Sequence, residues 1–272
     1  MRVLVHLSDL HFGRIDHALV KPLIELVSRI KPDVVAVSGD LTQRARTEQF
    51  QEARRFLDAL PSPQIVVPGN HDVPLHNVFS RMLQPLDKYR RYITSDLEPF
   101  YADDEIAALG INTARSLTFK KGRVNDGQLA GVRARLSALG NGVTKIIVTH
   151  HPFDLPTGHG DKHLVGRARM AMATFANCGV DVLLAGHLHV SHTGSTAARY
   201  EIGGHSALVV QAGTATSTRG RGEINSFNVI RIDGPQIVVE RLIWNHVEGT
   251  FVGGASEHFQ FNAGRWAVRP SP

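Results

Sequence analysis

Five short blocks of this 272-residue chain concentrate carboxylates and imidazoles: Ser8-Asp9-Leu10-His11, Ser38-Gly39-Asp40-Leu41-Thr42, Pro68-Gly69-Asn70-His71-Asp72, His150-His151-Pro152 and Gly186-His187-Leu188-His189. Residues of these types offer oxygen and imidazole donors without thiolate, a set that suits divalent ions of the Mn, Fe, Co, Ni or Zn kind. A lone Asp-x-His is as readily a turn as a ligand pair, and a lone His is commonly a hydrogen-bonded structural residue. The weight lies in five blocks occurring together. The glycines preceding Asp40, Asn70 and His187 let the backbone turn tightly and bring those side chains toward a common centre. The chain holds 15 His against 12 Phe, 4 Tyr and 2 Trp, and its single Cys, Cys178, excludes an intrachain disulfide framework and any Cys-based zinc cluster.

Each block follows a short apolar run. Val3 to Leu7 reads as a strand, Leu19 to Ile30 as an amphipathic helix with Pro22 tolerated near its first turn, and Val34 to Val37 as a buried strand. Thr47 to Leu60 has helical spacing and Ile65 to Val67 is a third strand, giving a β-α-β-α-β start. The sequence predicts helix within residues 74–100, a strand from Glu105 to Ile111, and a helix capped by Asp126 that runs to about Leu139 and stops at Gly140-Asn141-Gly142. Then come a strand from Lys145 to Val148, a helix from Val165 to Asn177 and a strand from Val182 to Leu184. Beyond Ala207, the runs Leu208 to Gln211, Phe227 to Ile232 and Ile237 to Ile243 alternate as antiparallel strands do. The expected organisation is one α/β domain over residues 1–243 with a C-terminal β extension over 244–272. That extension would cap a sheet edge or reach a second subunit of a homo-oligomer. Ligand sites in open α/β sheets assemble at the carboxyl ends of the strands, where all five blocks fall.

Composition removes several classes. Lys and Arg number 30 and Asp and Glu 25, a net charge of +5 that admits an anionic partner without defining a patch for one. Basic and aromatic residues do not interleave as they would in a strand-binding groove, which disfavours a nucleic-acid substrate. No stretch reaches the roughly 18 apolar residues of a membrane span, and His6, Ser8 and Asp9 interrupt the N-terminal apolar run that a secretory signal would need. A cytoplasmic location is the expectation.

In this order, the Asp-x-His, Gly-Asp, Gly-Asn-His-Asp, His-x-Pro and Gly-His-x-His series resembles that of the calcineurin-like metallophosphoesterases over residues 1 to about 232. The resemblance implies a four-layer α-β-β-α sandwich, two mixed sheets flanked by helices. It implies one metal bound by Asp9, His11, Asp40 and His189 and a second bound by Asp40, Asn70, His150 and His187, with Asp40 bridging. The cofactors would be two divalent ions, Mn, Fe or Zn. Their +4 against the −2 of Asp9 and Asp40 leaves a surplus of +2, since imidazoles and the Asn70 carbonyl add nothing. That surplus holds a hydroxide and an anionic phosphoryl group, so hydrolysis needs no protein nucleophile. The resemblance also implies that His71 steadies the phosphoryl group or protonates the leaving oxygen, with Asp72 accepting from its other ring nitrogen.

Substrate choice lives in the surrounding loops. Gly-Asp-Leu-Thr departs from the Gly-Asp-x-Val-Asp-Arg-Gly of the family's serine/threonine phosphatases. The blocks look most like those of bacterial class III cyclic nucleotide phosphodiesterases and their glycerophosphodiesterase relatives. The expected substrate is therefore a small phosphodiester, a 3′,5′-cyclic nucleotide first. The alternatives are a glycerophosphodiester, a phospholipid head group or nucleic acid, then a phosphomonoester, and last a non-catalytic metal-binding scaffold. His151, Asn112, Arg115 and Arg219 or Arg221 are the candidate substrate contacts. His159, His163 and His192 lie near the ligand blocks, whereas His6, His17, His246 and His258 have no motif around them.

Overall fold

Three apolar runs near the N-terminus form the parallel strands β1 (Arg2–Leu7), β2 (Val34–Ser38) and β3 (Gln64–Val67), joined by helices α1 (His17–Ile30) and α2 (Thr47–Asp58). This computed structural model describes residues 1–75, 82–116, 121–156, 158, 160–200, 202–220 and 222–269. Every residue of β2 is buried, as a central parallel strand covered on both faces requires. The Asp16 carboxylate starts α1 by accepting the Ala18 N–H at 3.0 Å, and the helix buries Leu19, Leu23 and Val27. Because α1 begins at His17, Pro22 falls in its second turn. Within the expected helical stretch 74–100, helix α3 covers Asp87–Tyr92, while residues 76–81 lie outside the described set.

The second half builds another sheet from β4 (Phe100–Ala102), β5 (Ile106–Gly110), β6 (Thr144–Val148), β7 (Val182–Ala185), β8 (His192–Ser195) and β9 (Leu208–Gln211). Its order is β4-β5-β6-β7-β9-β8, parallel inside and antiparallel at both edges. Helices α4 (Asp126–Leu136) and α5 (Ala168–Cys178) pack on its outer face. Asn125, one residue before the expected cap, starts α4: its side chain accepts the Gln128 N–H and Gln128 Oε1 accepts the Asn125 N–H. Cys178 is buried, as its residue type favours.

The chain then returns to the first sheet through β10 (Ser226–Asp233), β11 (Gln236–Asn245), β12 (Thr250–Asn262) and β13 (Arg265–Arg269), in the order β13-β12-β11-β10-β1-β2-β3. The 243/244 boundary expected between domain and extension falls inside β11, and Phe259 and Trp266 from beyond it join the core between the sheets. Leu4, Ala36 and Val67 of one sheet meet Ala108, Val148 and Leu184 of the other in that core. Separate apolar clusters lie under α1 and α2 and under α4 and α5, so the layers run helix, sheet, sheet, helix. Among the described residues no helix is long and apolar enough to cross a membrane.

Candidate metal centre

All five blocks leave the carboxyl ends of parallel strands: Asp9 and His11 after β1, Asp40 after β2, Asn70 after β3, His150 after β6, and His187 and His189 after β7. The backbone is bent sharply there. Asp9, His11, Asp40, His187 and His189 all have φ between 51° and 73°, a left-handed conformation that non-glycine residues adopt at a cost of order 1–3 kcal/mol each. Five such residues at one place mark a site whose geometry the surrounding fold imposes. Gly39 preceding Asp40 has φ +86°, as expected of a turn glycine. Gly69 and Gly186 act differently: a Cβ on Gly69 would collide with the Asp40 carboxylate and one on Gly186 with Ser8 Oγ and Asp9 Oδ2.

Ligand atoms of Asp9, His11, Asp40 and His189 lie within 4.8 Å of one another, and all four residues are buried. The His189 Nδ1–H donates to the Arg219 carbonyl at 3.2 Å, so Nε2 presents a lone pair. That Nε2 lies 3.1 Å from Asp9 Oδ1 and 3.1 Å from His11 Nε2. Asp9 Oδ2 accepts from Ser8 Oγ and the His187 N–H, whereas the buried Oδ1 accepts no hydrogen bond. Burial opposes ionisation of Asp9, but the neighbouring imidazoles, His189 first and then His11, hold its pKa well below the usual carboxylate value.

The other group repeats this logic. The His150 Nδ1–H donates to the Ser38 carbonyl at 2.8 Å, turning Nε2 toward Asn70 Oδ1 at 3.1 Å, His187 Nδ1 at 3.3 Å and Asp40 Oδ2 at 3.4 Å. His187 Nδ1 is 3.0 Å from Asn70 Oδ1. Asp40 Oδ2 also lies 3.8 Å from His11 Nε2, so one carboxylate oxygen faces both groups. Buried and half-buried acceptors converging on one another are the donor chemistry of a cation site, and both groups fit divalent ions.

His71 is placed at the cage but not as expected. Its Nδ1 lies 2.9 Å from the Gln43 carbonyl, and its Nε2 lies 3.0 Å from Arg219 Nη1. Asp72 is not its partner: the buried carboxylate accepts from the N–H groups of Leu41, Thr42 and Gly69 and from Thr42 Oγ1. Asp72 therefore ties the loop carrying Asp40 to the turn carrying Asn70. The sequence carries no signal for Gln43 because a backbone carbonyl does the work. It holds none for Ser38 O for the same reason.

The expected substrate contacts fare unequally. Arg219 reaches the cage through His71. His151 is fully buried, with Nδ1 2.8 Å from Thr113 Oγ1 and its ring centroid 4.7 Å from that of His187. A ring nitrogen of each of His150, His151 and His187 lies within 4.8 Å of the others. Burial first, then His187 and His150, push the His151 pKa well down and keep it neutral. Arg115 donates to the carbonyls of Asn112 and Ala114 and to Gln128 Oε1, and Asn112 Oδ1 accepts the Ala114 N–H. Both brace the loop after β5 and line a cavity of about 370 Å³ with Leu83, Leu86 and Leu97. The His163 ring is 6.4 Å from that of His187, and His192 lines a cavity of about 540 Å³ with Asp154 and Arg199. Arg221 and His159 lie outside the described residues.

Comparison with known proteins agrees with this geometry. The chain is 34% identical over 170 residues to a glycerophosphodiester phosphodiesterase, GpdQ, of Enterobacter lignolyticus, covering 58% of this chain and 59% of that one. It is 25% identical over 130 residues to a probable cyclic nucleotide phosphodiesterase of Ruthia magnifica, covering 42% of this chain and 56% of that one. The matched segments thus span less than two thirds of these relatives. In fold it is similar to a dimetal phosphatase from Danio rerio, with TM-score 0.65, 14% identity, and 88% of this chain and 95% of that one covered. It is also similar to a purple acid phosphatase from yellow lupin (Lupinus luteus), with TM-score 0.68, 12% identity, and 94% of this chain and 53% of that one covered. Residues 2–191 match the calcineurin-like phosphoesterase model, and the chain belongs to that family.

Proposed function

We propose that this protein hydrolyses a small phosphodiester at a centre of two divalent cations. Asp9, His11, Asp40 and His189 would hold one, and Asp40, Asn70, His150 and His187 the other. The observation that carries the reading is the position of Asp40 Oδ2, 3.8 Å from His11 Nε2 and 3.4 Å from His150 Nε2, which joins two ligand groups into one site. When bound, two such cations lower the pKa of shared water and neutralise phosphoryl oxygens.

The protein's own part is to fix the donors. The carbonyls of Ser38 and Arg219 set the tautomers of His150 and His189 so that each presents a lone pair inward. Asp72 holds the Asp40 and Asn70 loops in register. With only Asp9 and Asp40 charged in the two ligand sets, the loaded centre keeps a surplus of positive charge for an anionic ester.

Similarity to GpdQ supports a glycerophosphodiester, and the weaker similarity to the Ruthia magnifica protein supports a cyclic nucleotide. Assay of the Mn-loaded protein on bis-p-nitrophenyl phosphate, p-nitrophenyl phosphate, cyclic AMP and glycerophosphocholine separates these classes. Turnover of a diester above the monoester is expected. Preference for p-nitrophenyl phosphate over every diester would overturn the reading.

A further inference from the structure

Asn70, His71, His187 and Arg219 are half-buried, whereas Asp9, His11, Asp40 and His150 are closed off, so the cage opens to solvent on the side of the former set. On that side the protonation pattern of His71 is fixed by its partners. The Gln43 carbonyl can only accept, so His71 Nδ1 carries the hydrogen; Arg219 Nη1 can only donate, so Nε2 carries the lone pair. His71 is thus a neutral imidazole whose lone pair is occupied by a guanidinium. In this tautomer its one proton points at Gln43 and not into the cleft.

We propose that Arg219 is the residue that contacts the transferring phosphoryl group, and that His71 is a positioning residue acting through it. The inference rests on the phosphodiesterase reading of the cage. A guanidinium presents N–H groups in a planar fork that matches two phosphoryl oxygens, and it stays charged at every working pH. Its hydrogen bonds stabilise developing charge without transferring a proton. In the hydrolysis the oxygen of water forms the new P–O bond, and the P–OR bond breaks with its electron pair on the leaving alkoxide. One proton of the water ends on that alcohol.

The backbone around Arg219 is built to hold it still. Ala215 N–H donates to the Ser8 carbonyl at 3.0 Å, Thr216 Oγ1 to the Leu10 carbonyl at 2.9 Å, and Asn225 Nδ2 to the Ser217 carbonyl at 2.9 Å. Arg219 N–H donates to Ser217 Oγ at 3.0 Å, and the Arg219 carbonyl receives the His189 Nδ1–H. One residue therefore orients an expected metal ligand with its backbone and His71 with its side chain. Such prior ordering makes a charged donor effective in a reaction.

The test compares Mn-loaded Arg219→Ala, Arg219→Lys, His71→Gln and His71→Ala on bis-p-nitrophenyl phosphate. Loss of the guanidinium should lower kcat by about 10²–10³-fold with bound metal unchanged, and added guanidinium chloride should restore part of it. Arg219→Lys should fall between, because an ammonium lacks the fork. In His71→Gln the side-chain oxygen can still accept from Arg219, so turnover should stay within about tenfold of wild type, against the 10²–10⁴-fold loss expected of a missing proton donor. The proposal is overturned if His71→Gln is as inactive as His71→Ala while Arg219→Ala remains near wild type. Wild-type protein inactive on every ester fails the phosphodiesterase reading instead. The pairing is then read without turnover, from long-range ¹H–¹⁵N spectra of the zinc-loaded protein with His71 assigned through His71→Gln. A protonated Nδ1, with Nε2 shifting in Arg219→Ala, supports the pairing; a protonated Nε2 overturns it.

Discussion

Asp9 Oδ1 lies 3.1 Å from His189 Nε2, although Asp9 follows β1 of one sheet and His189 follows β7 of the other. The first ligand group therefore spans the sandwich. Below it the two sheets touch through apolar side chains such as Leu4 and Leu184, but at this end a carboxylate and imidazoles face one another. A cation placed among them would fasten the sheets together.

Metal should therefore stabilise the fold as well as serve a reaction. Ligand binding to the native state alone adds about 2.7 kcal/mol at a free concentration of 100 Kd. Urea unfolding in excess Mn should show a midpoint displaced upward relative to chelator-treated protein. Coincident curves would mean that the cage takes no cation in the folded state.

Asp40 joins both groups, so its loss should be felt twice. In Asp40→Ala the metal content measured by atomic emission should fall below one per chain, whereas His187→Ala should retain one ion at the group of Asp9, His11, Asp40 and His189. Metal near two per chain in Asp40→Ala would exclude a shared carboxylate.

Gly186 is required for a reason distinct from turning. An ideal Cβ there would overlap Ser8 Oγ and Asp9 Oδ2, while one on Gly142 meets no atom within 4 Å. Gly186→Ala should cost about 1–3 kcal/mol of stability, as overpacking does, and weaken metal uptake by displacing Asp9. Gly142→Ala should do neither. Equal metal binding in the two variants would show that the Asp9 loop yields freely.

Strands β1, β2, β3, β5, β6, β7, β10 and β11 and the five polar blocks are legible in the sequence, because β-branched runs and polar strand ends leave a local signature. Strands β4 and β8 leave none, and β9, expected among the antiparallel strands, runs parallel to β7. The sequence's failures at the site are of one physical kind. Asp72 is the partner of His71 that the family resemblance implies, but its carboxylate has three backbone N–H groups within reach across a loop contact, and the turn points it toward them. The true partner is a carbonyl, that of Gln43, and carbonyls are the same in every residue. Arg115 looked like an anion ligand, yet two carbonyls of its own loop and Gln128 engage it. The cap of α4 fell one residue early because Asn and Asp stand side by side and either can cap.

His6, which is not itself a cage ligand, supplies a further pH dependence, set by burial against the opposing pull of the Asp9 carboxylate. It lies fully buried between the sheets, with Nε2 2.9 Å from Ser38 Oγ and Nδ1 without a hydrogen-bond partner. Burial lowers its pKa to about 3 from an ordinary 6.5. Below pH 6.5 the unfolded chain takes up a proton that the folded protein refuses, so this contribution to stability is complete above that pH and is lost progressively as pH falls toward 3. At 1.36 kcal/mol per pK unit, the loss between pH 7 and pH 5 is about 2 kcal/mol. Urea unfolding of chelator-treated wild type and His6→Leu at both pH values isolates it, since every other histidine is common to the two proteins. The wild type should lose about 2 kcal/mol more than the variant on acidification; equal losses would mean that His6 is protonated within the fold.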